Sequence, residues 1–157
     1  MATYTLSSND PRNTTFTNPD GSIVYKISTP NILKNVTTTI TRGDESIVAV
    51  IHWNVLDKNE ITMNGITQRV VDIFPRSKAL TRSRVYTATD GEKFKWKNST
   101  KLYCVSENTG LNIATYYKSL FAVFREKKST LDIAPGTLHL SDILIVTWCI
   151  MEREGED

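Results

Sequence analysis

The residues best able to do chemistry lie in one stretch, Arg82-Ser-Arg-Val-Tyr-Thr-Ala-Thr-Asp-Gly-Glu-Lys-Phe-Lys-Trp-Lys97. Asp90-Gly91 between two alternating runs is a strong hairpin signal, and a two-residue turn there sets Val85 opposite Trp96 and Thr87 opposite Phe94. The other face then carries Arg84 opposite Lys97, Tyr86 opposite Lys95 and Ala88 opposite Lys93, with Arg82 continuing the row. Like charges directly opposed on a sheet are mildly destabilising, so a ladder of Arg82, Arg84, Lys93, Lys95 and Lys97 around Tyr86 needs a reason. One reason is an anionic partner: a phosphate, a phospholipid headgroup or an acidic protein surface. The other is an edge hairpin whose lysines deter edge-to-edge pairing and face water. A further possibility is that the acidic tail, Glu152 to Asp157, folds back onto the ladder.

Other chemistries find less support. His52 and His139 are the only histidines, and no His-x-x-x-His, Cys-x-x-Cys or Glu-x-x-His spacing occurs, so no metal site is expected. Cys104 could pair with a histidine as a nucleophile, but nothing local supports it. Asp57 with Glu60, or Asp132 with Asp142, could form a carboxylate pair, yet turn and capping roles account for them. There is no glycine-rich nucleotide loop, so no catalytic residue and no cofactor is expected. Tyr4, Tyr103, Tyr116 and Tyr117 could stack on sugars as in a small defence lectin, although alternation should place half of them in the core. Lys93-Phe-Lys-Trp-Lys97 interleaves aromatics with lysine as single-stranded nucleic-acid binders do, but Phe94 and Trp96 point away from the lysines, which argues against nucleic acid. A lipid or small-ligand cavity is a remaining alternative.

The elements that must position the hairpin follow from length and pattern. The 157 residues suit one domain spanning 1–157, and the formal net charge of +2 gives no global pull toward nucleic acid. Charge is unevenly placed: residues 76–101 hold eight basic residues and two acids, and the last six residues hold four acids and one base. Two cysteines, Cys104 and Cys149, are too few for a disulfide framework and read as reduced thiols. The first residues lack the basic and apolar blocks of a signal peptide, so a cytoplasmic protein, peripheral to a membrane at most, is expected.

From Ile143 to Met151 every residue except Thr147 is apolar. That run is far short of the roughly 20 apolar residues a membrane helix needs, so it reads as a core element. Its β-branched residues favour a strand, whereas Ser141-Asp142 suits a helix N-terminus and the run exceeds a usual strand, which favours a buried helix over about 141–152. Before it, over about 3–140, short strands alternate with turns. They include Ser22–Ser28, Val36–Thr41, Ser46–Trp53, Glu60–Met63, Gln68–Phe74, Leu102–Ser106, Leu111–Tyr117, Ser119–Arg125 and Thr130–Ile133. If Gly43-Asp44 is a two-residue turn, Ile40 faces Ile47, Thr38 faces Ala49 and Val36 faces Ile51. Ten to twelve strands before one apolar segment predict a closed or nearly closed antiparallel barrel with that segment as its plug.

The order of short motifs also resembles a family. Asn9-Asp-Pro-Arg-Asn-Thr, Pro19-Asp-Gly with Val24-Tyr25, Thr38-Thr-Ile-Thr-Arg42, Ile51-His-Trp53, Ser83-Arg-Val-Tyr86, Asp90-Gly with Phe94-Lys-Trp-Lys97, Leu131-Asp-Ile133 and Asp142-Ile-Leu-Ile-Val-Thr147 carry the likeness. They resemble a small uncharacterised domain family of basidiomycete fungi. That family is similar to the tubby C-terminal-like superfamily, with the LURP-one-related proteins and phospholipid scramblases. The resemblance implies a mainly β protein, an antiparallel β-barrel of about 12 strands around a C-terminal hydrophobic helix. It transfers no function by fold alone. The reading that follows is a non-enzymatic binding domain for an anionic lipid headgroup or other phosphorylated partner.

Overall fold

A computed structural model describes residues 2–30, 36–54, 58–119 and 128–155. The strands are β1 (Ala2–Leu6), β2 (Thr14–Thr17), β3 (Ile23–Ser28), β4 (Val36–Arg42), β5 (Ile47–Trp53), β6 (Glu60–Met63), β7 (Ile66–Arg69), β8 (Arg84–Thr87), β9 (Lys93–Asn98), β10 (Leu102–Ser106), β11 (Asn112–Tyr117) and β12 (Thr130–Ile133). A helical turn, α1 (Val70–Ile73), follows β7, and a 3-10 turn (Leu138–Leu140) runs into the long helix α2 (Ser141–Gly155). The strand expected over Ser119–Arg125 falls largely outside the described residues.

The strands form one 12-stranded sheet in the order β7-β6-β5-β4-β3-β2-β1-β12-β11-β10-β9-β8. All described pairings are antiparallel, and β1 against β12 joins an N-terminal half to a C-terminal half. The two free edges, β7 and β8, are neighbours in sequence. No ladder joins them among the described residues, so the sheet is barrel-like and not closed by hydrogen bonds. Between them run α1 and the following loop, tied back by one isolated bridge, Arg76 to Arg84.

Alternation along the strands explains the interior. Leu6, Phe16, Ile27, Ile40, Ile51, Ile61, Phe94, Trp96, Cys104, Tyr116, Leu131 and Ile133 are buried, and each lies in a strand with more exposed neighbours. They surround α2, in which every residue from Leu144 to Met151 is buried. Ile145 and Trp148 are fully enclosed. Burial of each such side chain favours folding by about 1.5–3 kcal/mol before entropy is counted. Trp148 meets Phe16 and Tyr116 edge-on at ring-centroid distances of 5.2 and 5.3 Å. The one polar residue of the run, Thr147, gives its hydroxyl to the Ile143 carbonyl at 2.7 Å and accepts the Trp96 indole N–H at 2.7 Å. A hydroxyl in this core is therefore satisfied on both sides.

Polar contacts hold both ends of α2. At its start, Tyr25 Oη donates to Asp142 Oδ1 at 2.6 Å and lies 2.7 Å from Ser141 Oγ, while Arg42 Nε donates to Asp142 Oδ2 at 3.1 Å. Burial, then the hydrogen bond to Asp142, raises the Tyr25 phenol above its ordinary range. Ser141 is itself helical (φ −52°, ψ −49°), so it opens the helix and does not cap it from outside. At the other end Glu152 lies 3.6 Å from Lys118, and Glu154 meets Arg84. The acids that oppose the helix macrodipole are thus each given a cation.

Two turns before β8 differ from the sequence expectation. Arg42 to Ser46 closes through Arg42 N–H to the Ser46 carbonyl, with Glu45 at φ 72°, so its loop has three residues. With a bulge between Ile40 and Thr41, Ile40 pairs with Ala49, Thr38 with Ile51 and Val36 with Trp53. A shift of two residues keeps every side chain on the expected face. Asn64-Gly65, at φ 52° and 76°, makes a two-residue hairpin between Met63 and Ile66. The strand expected over Gln68–Phe74 is therefore the end of β7 followed by α1, because Val70 and Phe74, one helical turn apart, both enter the core.

Candidate functional site

The hairpin of β8 and β9 turns on three residues, Thr89, Asp90 and Gly91. Ala88 N–H donates to the Glu92 carbonyl at 2.8 Å, Gly91 N–H to the Ala88 carbonyl at 3.0 Å, and Glu92 N–H to Asp90 Oδ1 at 2.9 Å. Only Gly91 has positive φ, 88°, as in a type I turn closed by a glycine bulge; a type I′ turn would need Asp90 there too. The extra loop residue moves the register by one. Arg84 pairs with Trp96, Val85 with Lys95, Tyr86 with Phe94 and Thr87 with Lys93.

A one-residue slip sends a whole strand face to the other side. Arg84 and Tyr86 therefore point inward, against the expectation that they share a ladder with the lysines. Arg84 is 2% exposed, donating through Nε and Nη2 to Glu154 at 3.1 and 2.9 Å and through Nη1 to the Phe74 carbonyl at 2.6 Å. Tyr86 stacks on Phe94 with ring centroids 5.3 Å apart, and burial raises its phenol pKa. The acidic C-terminal segment does reach Arg84, but as the last turn of α2 meeting it inside the sheet. An inward charge on an edge strand also discourages sheet extension.

Lys93, Lys95 and Lys97 remain together on the outer face of β9, alternating with buried Phe94 and Trp96. Consecutive members are roughly 6.5–7 Å apart along an extended strand. Their cross-strand neighbours are Thr87 and Val85 on β8 and Val105 and Tyr103 on β10, and just past β10 the acidic Glu107, whose N–H donates to the Lys93 carbonyl at 2.9 Å, stands beside Lys93. No ion pair involves these three lysines among the described residues. At the start of β10 the Lys101 ammonium lies 4.8 Å from the Tyr117 ring centre.

Arg82 belongs to a third environment. Together with Arg76, Asn54, Asn59 and Asn98 it lines a cavity of about 570 Å³ at the end of the sheet where α2 emerges, with Glu154 at its wall. The six expected ligand residues thus divide into an outer lysine row, an inner pair and one cavity residue. Arg76 and the asparagines were not expected in any site, and no local motif marks them, since they gather only across the β7–β8 seam.

The remaining candidates stay apart. His52 Nδ1 lies 3.4 Å from Thr37 Oγ1, and His139 Nε2 lies 3.3 Å from Glu92. Cys104 and Cys149 are buried thiols not joined in a disulfide, and burial pushes the Cys104 thiol well above its ordinary pKa. Asp142 is engaged by Tyr25 and Arg42, whereas Asp132 pairs across strands with Thr3 and Thr115. Among the described residues no group of three or more His, Cys, Asp or Glu side chains could hold a metal ion. Of the four tyrosines, Tyr4 and Tyr116 are buried, Tyr103 is half-buried and Tyr117 is exposed. Among the described residues no helix is long and apolar enough to cross a membrane.

A barrel-like antiparallel sheet around a C-terminal helix, with one basic outer face and a polar cavity at its seam, is the class this chain defines. Residues 9–157 match the family described as "Family of unknown function (DUF6593)", and the chain belongs to it. A protein of Arabidopsis thaliana solved by X-ray crystallography has a similar fold, at TM-score 0.50 and 11% identity over 92% of this chain and 88% of that one. No curated protein matches the chain.

Proposed function

We propose that this protein is a non-enzymatic binding domain that associates with an anionic surface, a phospholipid headgroup layer, through Lys93, Lys95 and Lys97. The observation that carries the reading is the row itself: three lysines at alternate positions on a rigid strand, none of them paired with an acid among the described residues. Edge protection does not account for it, because β8 is the edge strand and β9 is an inner one. Near an anionic membrane each lysine contributes about 1 kcal/mol, fading over a Debye length of roughly 10 Å in 0.1 M salt. Three together bring weak, salt-sensitive association without an inserted apolar group.

The likeness of the sequence motifs to the tubby C-terminal-like superfamily, and to a family of basidiomycete fungi beside it, is in keeping with this reading. Tubby holds phosphoinositide headgroups with basic barrel residues. A cytoplasmic, membrane-peripheral protein would meet such headgroups. The test is sedimentation with vesicles containing anionic lipid at two salt concentrations, for the wild type and for Lys93→Glu/Lys95→Glu/Lys97→Glu. Wild-type binding that weakens with salt and disappears in the variant supports the reading. Failure of the wild type to sediment even at low salt refutes it.

A further inference from the structure

The cavity at the seam differs from the lysine row in place and in chemistry. Its wall combines two guanidinium groups, Arg76 and Arg82, with the side-chain amides of Asn54, Asn59 and Asn98, and with the last turn of α2. The single negative charge of Glu154 is matched by Arg84, which it pairs with at 2.9 Å, so it does not neutralise the other two arginines. Neither Arg76 nor Arg82 has an acidic partner among the described residues, so positive charge is left over in the wall. Beside the guanidinium groups stand the side-chain amides of the three asparagines, of which the Asn59 oxygen accepts the Asn54 backbone N–H at 2.7 Å and keeps a second lone pair. A bare anion satisfies only the guanidinium groups, and an acyl chain satisfies neither these nor the amides. The volume, about 570 Å³, falls within the range of small-ligand pockets.

We propose that this cavity binds a small polyhydroxylated anion, with its phosphate or carboxylate against Arg76 and Arg82 and its hydroxyls hydrogen-bonded to the asparagine amides. Arginine suits the anionic group because its planar fork donates two parallel hydrogen bonds to phosphate or carboxylate. Both arginines are exposed at the rim, so replacing them leaves the core intact.

The test is calorimetric titration of the wild type with ribose 5-phosphate, glucose 6-phosphate, glycerol 3-phosphate and gluconate, beside ribose, glucose, glycerol and inorganic phosphate. At least one anionic sugar or polyol binds at least tenfold more tightly than both its neutral parent and inorganic phosphate. Arg76→Gln/Arg82→Gln, with unchanged thermal unfolding, loses that preference, while the triple lysine-to-glutamate variant keeps it. Competition by phosphatidylglycerol vesicles, measured in the triple lysine variant, identifies a lipid headgroup as the source of the same chemistry, and its absence identifies a free solute. No binding across the panel, or binding that survives the double arginine substitution, overturns the assignment. Because the lysine variant is read separately, failure of the membrane reading and failure of this one are distinguishable.

Discussion

Removal of the Glu154 carboxylate exposes what the inward Arg84 costs and what holds it there. Arg84 is 2% exposed, and two of its three side-chain hydrogen bonds go to Glu154. Breaking a buried ion pair from one side costs about 3–5 kcal/mol, because the surviving charge stays out of water. Glu154 is 26% exposed, so water reaches the gap in part and about 2–4 kcal/mol is expected for Glu154→Ala. That is a large share of the roughly 5–15 kcal/mol that stabilises an ordinary domain. Equilibrium urea unfolding followed by fluorescence of the buried Trp96 and Trp148 reads the loss directly. Combining Glu154→Ala with Arg84→Met closes a double-mutant cycle, in which a coupling of about 1.5 kcal/mol or more marks a desolvated pair. An exposed pair gives only about 0.2–1 kcal/mol. Coupling below about 0.5 kcal/mol would place Arg84 in water, restore the register with Arg84 opposite Lys97, and refute the inward reading.

Further outcomes follow from the backbone and from one phenol. A Cβ at Gly43 would lie 2.2 Å from the Ile23 carbonyl oxygen, so Gly43→Ala must displace backbone and is expected to lower stability by about 2 kcal/mol in the same unfolding assay. At the β8–β9 turn, Gly91→Val is expected to cost about 1–3 kcal/mol through its positive φ, whereas Asp90→Ala loses one exposed hydrogen bond, about 0.5–1 kcal/mol; equal large losses would indicate a type I′ turn. Tyr25 keeps its proton in the folded state at pH values where the unfolded chain releases it, near 10. Its contribution is therefore complete below that pH and is lost as pH rises toward the folded value, with a slope of up to about 1.4 kcal/mol per pH unit. Urea midpoints from pH 9 to 11 are expected to fall for the wild type and to fall less steeply for Tyr25→Phe.

The architecture was legible because two periodicities dominate the chain. Alternation in Phe94-Lys-Trp-Lys97 or Leu131-Asp-Ile133 marks strand faces, and the run from Ile143 to Met151 can only be enclosed. Turn length was not legible to the same degree. Asp90-Gly91 suits a two-residue turn and a three-residue loop alike, and that single residue decides whether Arg84 meets water or Glu154. At Arg42–Ser46 the register moved by two, so the faces survived. The lysine row was readable because its three members share one strand and keep a common face in either register. The seam cavity was not, since Asn54, Arg76, Arg82, Asn98 and Glu154 come from five separate places in the chain. Asn64-Gly65 carried a hairpin signal that, given its weight, would have ended the strand at Arg69.

The most direct test of the central claim is a residue-resolved NMR titration of the backbone amides with small bicelles, anionic and neutral in parallel. The account predicts shifts confined to β9 and the adjoining outer positions of β8 and β10, present only with anionic lipid and reversed by salt. Perturbations absent from Lys93 to Lys97, or equal with neutral and anionic lipid, would contradict it.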